Sequence, residues 1–311
     1  MGKSKDRRDI YYRRAKELGY RARSAFKLLQ VDEEYGLLDG VTRAVDLCAA
    51  PGSWSQVLSR KLWKEGEDKE SETRVVAVDL QEMAPIPGVV EIQGDITSKD
   101  TAEEIISYFK GNLADIVVSD GAPDVTGLHD IDEYLQGQLL LAALNIATFC
   151  LKPGGSFCAK MFRGKDSTLL YAQLRQFFAF VTIAKPKSSR NSSQESFVVC
   201  QNFQPPKGYV PTMVTPMLGM QYSIAEGEDN DEKETKLIDN LVGTNRVIVP
   251  FMACGDLSGF DADQSYSLSD AATGAGEAYT YRAPTQLPIN PSYKTAVDMA
   301  KSSGPQNQKS V

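Results

Sequence analysis

Between residues 24 and 203 the pattern of apolar and polar positions switches repeatedly between the strand period and the helix period. SAFKLLQVDEEYGLL (24–38) predicts an amphipathic helix with Ser24 as its N-cap. RAVDLCA (43–49) is a short apolar run, hence a buried strand, followed by a helix over 51–63. RVVAVDL (74–80) and VVEIQGDI (89–96) predict strands, and the apolar spacing of 98–110 predicts a helix. ADIVVSDGAP (114–123) predicts a strand running into a loop. Residues 134–151 predict a long buried helix that stops at the turn KPGG (152–155). SFCAKMF (156–162) predicts a strand and 166–178 a helix. FVTIAKP (180–186) and SFVVCQNF (196–203) predict two last strands joined by a polar, basic loop.

Strands separated by helices imply a mostly parallel sheet with helices on both faces. The fold class is therefore α/β, Rossmann-like. The last two strands have no helix between them, so they are expected as an antiparallel hairpin at one edge, making seven strands in all. Residues 204–311 differ in character: they hold nine of the fifteen prolines and the acidic stretch EGEDNDEKE (226–234). They predict an irregular extension. One segment in it, NRVIVPFMACGDL (245–257), is too apolar for water and should pack on the core or bind another protein. The domain reading is a basic arm over 1–27, an α/β domain over 28–203 and an extension over 204–311.

Composition changes this picture little. The chain has 311 residues, 42% hydrophobic and 24% charged, which excludes a wholly disordered chain, a fibre and a disulfide miniprotein. The longest apolar stretch (139–151) is too short to span a bilayer. The N-terminus is basic with no apolar run after it, unlike a signal peptide, and Asp6 stands where a myristoylation motif wants Ser or Thr. Five scattered cysteines without CxxC spacing predict a reduced, cytoplasmic setting. With a single histidine, they offer no metal site. His129, that histidine, is read as a structural loop residue.

Charge adds more. Net charge is -7, yet residues 1–27 carry ten Lys/Arg against three Asp/Glu, residues 28–203 sixteen against twenty-five, and residues 204–311 eight against thirteen. An acidic protein with one basic arm has one place where a polyanion is welcome. The bland alternative is a solvated terminus. Tyr11, Tyr12 and Tyr20 among the arginines favour RNA, since aromatics beside Arg suit base stacking. Candidate RNA contacts in the arm are Arg7, Arg8, Arg13, Arg14, Arg21 and Arg23. Arg163, Lys165, Lys185, Lys187 and Arg190 are further candidates in the later loops.

In an open α/β sheet, ligands bind beyond the C-terminal ends of the strands, where strand order reverses. The first strand ends in DLCAAPGSW (46–54), a tight loop with one glycine and no Walker lysine, which counts against a phosphate cradle. Asp79 ends the second strand, twenty-seven residues after Gly52, placed to accept both hydroxyls of a ribose. Asp95 ends the third, able to accept from an adenine amine, and Asp120 ends the fourth. Adenine, ribose and no phosphate describe an adenosine-type cofactor such as S-adenosylmethionine. Lys160 lies in an apolar strand and is either an edge lysine reaching solvent or a group projecting toward Asp120. If Lys27 and Lys160 converge, each lowers the other's pKa, while Asp120 and Glu195 oppose that shift.

Lys27, Asp120, Lys160 and Glu195 match in order and context the Lys-Asp-Lys-Glu tetrad of the FtsJ family of S-adenosylmethionine-dependent ribose 2′-O-methyltransferases. RARSAFKLLQ (21–30), DLCAAPGSWSQ (46–56), SDGAPDVTGLHD (119–130), KMFRGKD (160–166) and KPKSSRNSSQESF (185–197) all resemble family segments. The resemblance implies a class I methyltransferase fold, Gly52 and Trp54 in the cofactor loop, and Asp79 and Asp95 on its ribose and adenine. It implies Asp120 at both cofactor and catalytic centre, Lys160 as proton acceptor at a depressed pKa, and Lys27 and Glu195 as its partners. Met161-Phe162 replaces the more usual Ile–Phe. Residues 119–130 and the long extension most resemble the eukaryotic tRNA branch, which implies methylation at anticodon-loop positions 32 and 34. It also implies auxiliary partners, a WD-repeat protein and a large helical-repeat protein; the apolar segment 245–257 is expected to form part of their docking surface. Sister branches act on rRNA or the mRNA cap, and a non-catalytic RNA-binding scaffold is the rival outside enzymology.

Overall fold

The computed structural model describes residues 9–63, 67, 72–123, 128–211 and 250–266. The elements in chain order are α1 (Ile10–Glu17), α2 (Ala25–Tyr35), β1 (Ala44–Leu47), α3 (Ser53–Leu62), β2 (Val75–Asp79) and β3 (Val89–Gln93). Then follow α4 (Lys99–Tyr108), β4 (Ala114–Ser119), α5 (His129–Cys150), β5 (Leu151–Phe162), α6 (Ser167–Arg175), β6 (Phe178–Pro186), β7 (Glu195–Phe203) and β8 (Phe251–Cys254).

The strands form one sheet in the order β3-β2-β1-β4-β5-β7-β6-β8. The β3-β2-β1-β4-β5 portion is parallel, β7 is antiparallel to both β5 and β6, and β8 runs parallel to β6. The side-chain period of two sorts each strand between two cores. Val45, Leu47, Val76, Val78, Val117, Phe157 and Val198 face α4, α5 and α6. Ala44, Val75, Ile116, Val118, Cys158, Phe197 and Val199 face α2 and α3. Each large aliphatic side chain so covered contributes about 1.5–3 kcal/mol relative to exposure. This is why strands buried on both faces read as near-continuous apolar runs.

Several expectations are corrected. The sheet has eight strands among the described residues, not seven, because Phe251–Cys254 adds outside β6; the hairpin β6–β7 is therefore internal. Residues 251–254 thus join the sheet, with Cys254 buried and Phe251 and Met252 about half exposed; 245–249 and most of the extension, including 226–234, lie outside the described residues. KPGG does not stand as a turn between α5 and β5. The strand begins at Leu151, which pairs with Ala114, and the register then jumps to Ile116–Ser156, so 152–155 bulge out of the ladder. Gly154 sits there at φ 79°, a conformation that suits glycine. His129 opens α5 and is not a loop residue. Ser24 does hold the N-cap position of α2, but its backbone angles are already helical and its side chain makes no capping bond; its hydroxyl meets that of Ser53 at 2.6 Å.

Candidate active site

The switch in strand order falls between β1 and β4. The helix after β1 packs on one face of the sheet and the helix after β4 on the other, leaving a crevice above their C-terminal ends. On one side of it lie carboxylates. Asp79 accepts from the Ala50 backbone N–H with one oxygen (2.8 Å) and from the Gln81 N–H with the other (2.8 Å). Asp95 accepts from the Thr97 N–H and hydroxyl, both at 2.8 Å. These bonds fix the orientation of both side chains and leave lone pairs for a ligand.

The loop between β1 and α3 is compact. Gly52 has φ +100°, and a Cβ there would meet Arg21 Nη1 and Ile86 Cδ1 at 2.7 Å each, so the position demands glycine twice over. A Cβ at Gly121 would lie 2.8 Å from Cys48 Sγ, showing how closely the β1 and β4 loops approach. Asp46, not assigned a role from the sequence, is fully buried and accepts from the Ser55 hydroxyl at 2.5 Å. Burial pushes its carboxyl up to about 7, the Ser55 bond opposing and the nearby charges of Asp120 and Asp79 adding to the rise.

At the ends of β4 and β5 four charged groups alternate in sign around a ring. Lys160 Nζ lies 2.7 Å from Asp120 Oδ1 and 3.7 Å from Glu195 Oε2. Lys27 Nζ lies 2.7 Å from Glu195 Oε2 and 3.8 Å from Asp120 Oδ1. Chain direction explains the meeting. Ser119 pairs with Ala159 in the β4–β5 ladder, so Asp120 and Lys160 follow side by side. Phe162 pairs with Glu195 and Lys160 with Phe197 across the β5–β7 ladder. Lys27 comes from the first turn of α2, its amine 5.7 Å from the Phe197 ring centroid. Lys160 is only 8% exposed and belongs to a central strand, which disposes of the edge-lysine alternative.

The electrostatics differ from expectation in one respect. Burial alone would lower the Lys160 pKa, but the Asp120 and Glu195 carboxylates outweigh it, so in the free protein the amine sits above its ordinary value, not below. Glu195 responds in the opposite sense. Burial would raise it, yet Lys27, Lys160 and a 2.7 Å bond from the Ser189 hydroxyl hold it at about 2. Ser189 and Gln136 went unrecognised in the sequence. Gln136 Nε2 donates at 3.1 Å to both Gly121 O and Lys160 O, joining β4's loop to β5. Nothing in the sequence sets it apart from Gln138, two residues further along the same helix.

The basic residues divide sharply. Arg7 and Arg8 lie outside the described residues. Arg13 and Arg21, expected on an RNA face, are buried. Lys185 is buried too, donating to Ser193 O (2.7 Å) and Glu195 O (2.6 Å). Arg23 is tied to Asp9 and to the Ser188 carbonyl. Tyr11 and Tyr20 are buried and pack against Phe26, the first tilted and the second edge-on, so they are not free to stack on bases. The apolar arm positions belong to the core, and their neighbouring arginines fold in with them. The Trp54 indole is likewise interior, packed 5.5 Å from Phe197 and bonded to Ser24 O at 2.9 Å, so only its backbone faces the loop. Arg163 and Lys165 are exposed, and Arg14, Lys187 and Arg190 partly so. Among the described residues no cluster of His, Cys, Asp or Glu could hold a metal.

A sequence profile described as FtsJ-like methyltransferase matches residues 20–203. The chain is 60% identical over 302 residues to a Mus musculus protein named tRNA (cytidine(32)/guanosine(34)-2′-O)-methyltransferase, covering 97% of this chain and 87% of that one. A Schizosaccharomyces pombe protein of the same name is 50% identical over 306 residues, covering 97% and 99%. The crystal structure of a putative ribosomal RNA methyltransferase from Plasmodium falciparum is similar with a TM-score of 0.52 and 28% identity, covering 59% of this chain and 98% of that chain. With its charge ring and strand-end carboxylates set into this fold, the chain belongs to the FtsJ-like methyltransferase family.

Proposed function

We propose that this protein transfers a methyl group from S-adenosylmethionine to the ribose 2′-OH of tRNA anticodon-loop nucleotides at positions 32 and 34. The observation that carries the chemistry is the alternating ring of Lys27, Asp120, Lys160 and Glu195. The choice of tRNA is supported by relatives so named that match 97% of the chain at 50–60% identity.

The crevice fits the cofactor. Its donor set is carboxylate-rich, suited to ribose hydroxyls, an adenine amine and a cationic sulfonium, and its one-glycine loop has no phosphate-binding lysine. Asp79, Asp95 and the backbone around Gly52 would hold the nucleoside, with Asp120 at its border. When bound, the cofactor supplies an activated methyl group and leaves as S-adenosylhomocysteine. The protein's part is alignment and proton transfer. Lys160, once neutral, accepts the 2′-OH proton at Nζ. Asp120 and Glu195 hold that amine in place and stabilise it after it becomes charged. Lys27 balances the second carboxylate, keeping the pair from competing for one proton.

In this reading 28–203 is the catalytic domain and 1–27 the arm leading into it. Residues 204–311 dock partners, a WD-repeat protein and a large helical-repeat protein, with the exposed Phe251 and Met252 at the sheet edge offering the apolar contact. The setting is cytoplasmic; among the described residues no helix is long and apolar enough to cross a membrane. The test is methylation of total RNA with methyl-labelled S-adenosylmethionine, followed by digestion and nucleotide mapping. Label at tRNA positions 32 and 34 is expected; label confined to rRNA would refute the assignment.

A further inference from the structure

Arg21 stands out because its sequence context suggests RNA while its position forbids it. It is 5% exposed, and its guanidinium points under the crevice. Nη1 donates to Pro51 O at 2.8 Å, while Nη2 donates to Ala84 O at 2.6 Å and Pro85 O at 3.1 Å. Pro51 belongs to the loop after β1, and Ala84 and Pro85 to the loop after β2. These two loops carry the residues that frame a donor nucleoside: Gly52 in the first, and Asp79 at the foot of the second.

The first loop is held from both sides by consecutive residues. Asp79 accepts from the Ala50 N–H at 2.8 Å, and Arg21 donates to the Pro51 carbonyl. Arg21 Nη1 fills the space where a Gly52 side chain would stand, so the guanidinium and the glycine are complementary shapes. The main chain of Arg21 is fixed as well, its N–H donating to Gln56 Oε1 at 2.8 Å. A planar fork with donors on two nitrogens reaches carbonyls of two loops at once. A lysine ammonium is a point donor and cannot reproduce that span.

We infer that Arg21 is a positioning residue for the methyl-donor site, fastening the β1 and β2 loops in the spacing that the nucleoside requires. The inference rests on the crevice being the donor site. It touches neither the proton-transfer ring nor RNA, so its loss should appear in donor affinity.

Three measurements on the full chain test this. Calorimetric titration of wild type with S-adenosylhomocysteine comes first; absence of binding would refute the donor-site reading itself. Given binding, Arg21→Lys should weaken it by about tenfold, the scale expected for losing hydrogen bonds from a buried charged group. The KM for S-adenosylmethionine should rise in parallel, with the rate at saturating donor and the KM for tRNA changing far less. A purely structural role would lower the active fraction, reducing kcat and leaving the donor KM unchanged, and that outcome would overturn the inference. Should Arg21→Lys fail to fold, hydrogen exchange on wild type decides. S-adenosylhomocysteine should protect amides both at 52–54 and at 86, on the two sides of the clamp; protection of the first alone would overturn it.

Discussion

Lys160 and Asp120 meet twice: the lysine Nζ lies 2.7 Å from the aspartate carboxylate and 2.7 Å from the same residue's main-chain carbonyl. A lone ion pair could swing; this double attachment fixes the amine at the mouth of β4 and β5. It also stabilises the charged amine, so proton acceptance requires that the site first release a proton.

Replacing that amine should stop the chemistry and spare donor binding. Lys160→Met is expected to lower the single-turnover methylation rate by about 10²–10⁴-fold, the range for loss of a positioned general base. Affinity for S-adenosylhomocysteine should stay near wild type. A rate loss below tenfold would remove Lys160 from the proton path.

With Lys160 as the proposed proton acceptor, its raised pKa predicts a pH dependence of definite direction. The neutral amine becomes more abundant as pH rises, so the rate of the chemical step should climb from pH 7 to pH 9. Glu195→Gln removes one of the charges that hold the proton on Lys160, so its profile should move to lower pH. A flat wild-type profile, or an unmoved one in the variant, would contradict this. For stability the signs are opposite. Glu195, depressed to about 2, contributes fully above its unfolded value of about 4.3 and loses that contribution as pH falls toward 2. Lys160 contributes below its unfolded value and loses that as pH rises through its raised folded value.

The sheet and the charge ring were legible because both are written in residue types. Buried parallel strands announce themselves as apolar runs, and Lys160 is conspicuous as the one charge in SFCAKMF. What was not legible depends on which way a side chain turns. Arg13, Arg21 and Arg23 look alike in a basic arm, yet packing of Ile10, Tyr11 and Tyr20 draws the first two inside. The eighth strand was hidden because a four-residue edge strand far along the chain carries no periodic signal; its register with β6 is a tertiary fact.

Asp46 should make the protein more stable in mild acid than at pH 8. Its carboxyl, raised to about 7 by burial, contributes while protonated and loses that contribution as pH rises through 7. Asp46→Asn keeps an acceptor for the Ser55 hydroxyl and cannot ionise. Thermal denaturation should therefore show the variant gaining on wild type between pH 5 and pH 8. An equal difference at both pH values would mean that Asp46 does not titrate there.

The exposed and the buried basic residues should separate experimentally. Arg163 and Lys165 are exposed in the loop that follows β5, the strand carrying Lys160, and removing either charge should weaken tRNA binding and reduce the slope of log affinity against log salt by about 1 per lost phosphate contact. Arg13 is fully buried, with Nη2 reaching Tyr266 O at 3.5 Å. Arg13→Met should leave the salt slope unchanged and alter the melting temperature, because it removes an interior charge and its bonds. Filter binding over a salt series, set beside melting curves for the same variants, checks both. If Arg13→Met lowered the salt slope as Lys165→Ala does, the arm would have to open on binding RNA and the buried arrangement would describe only the free protein.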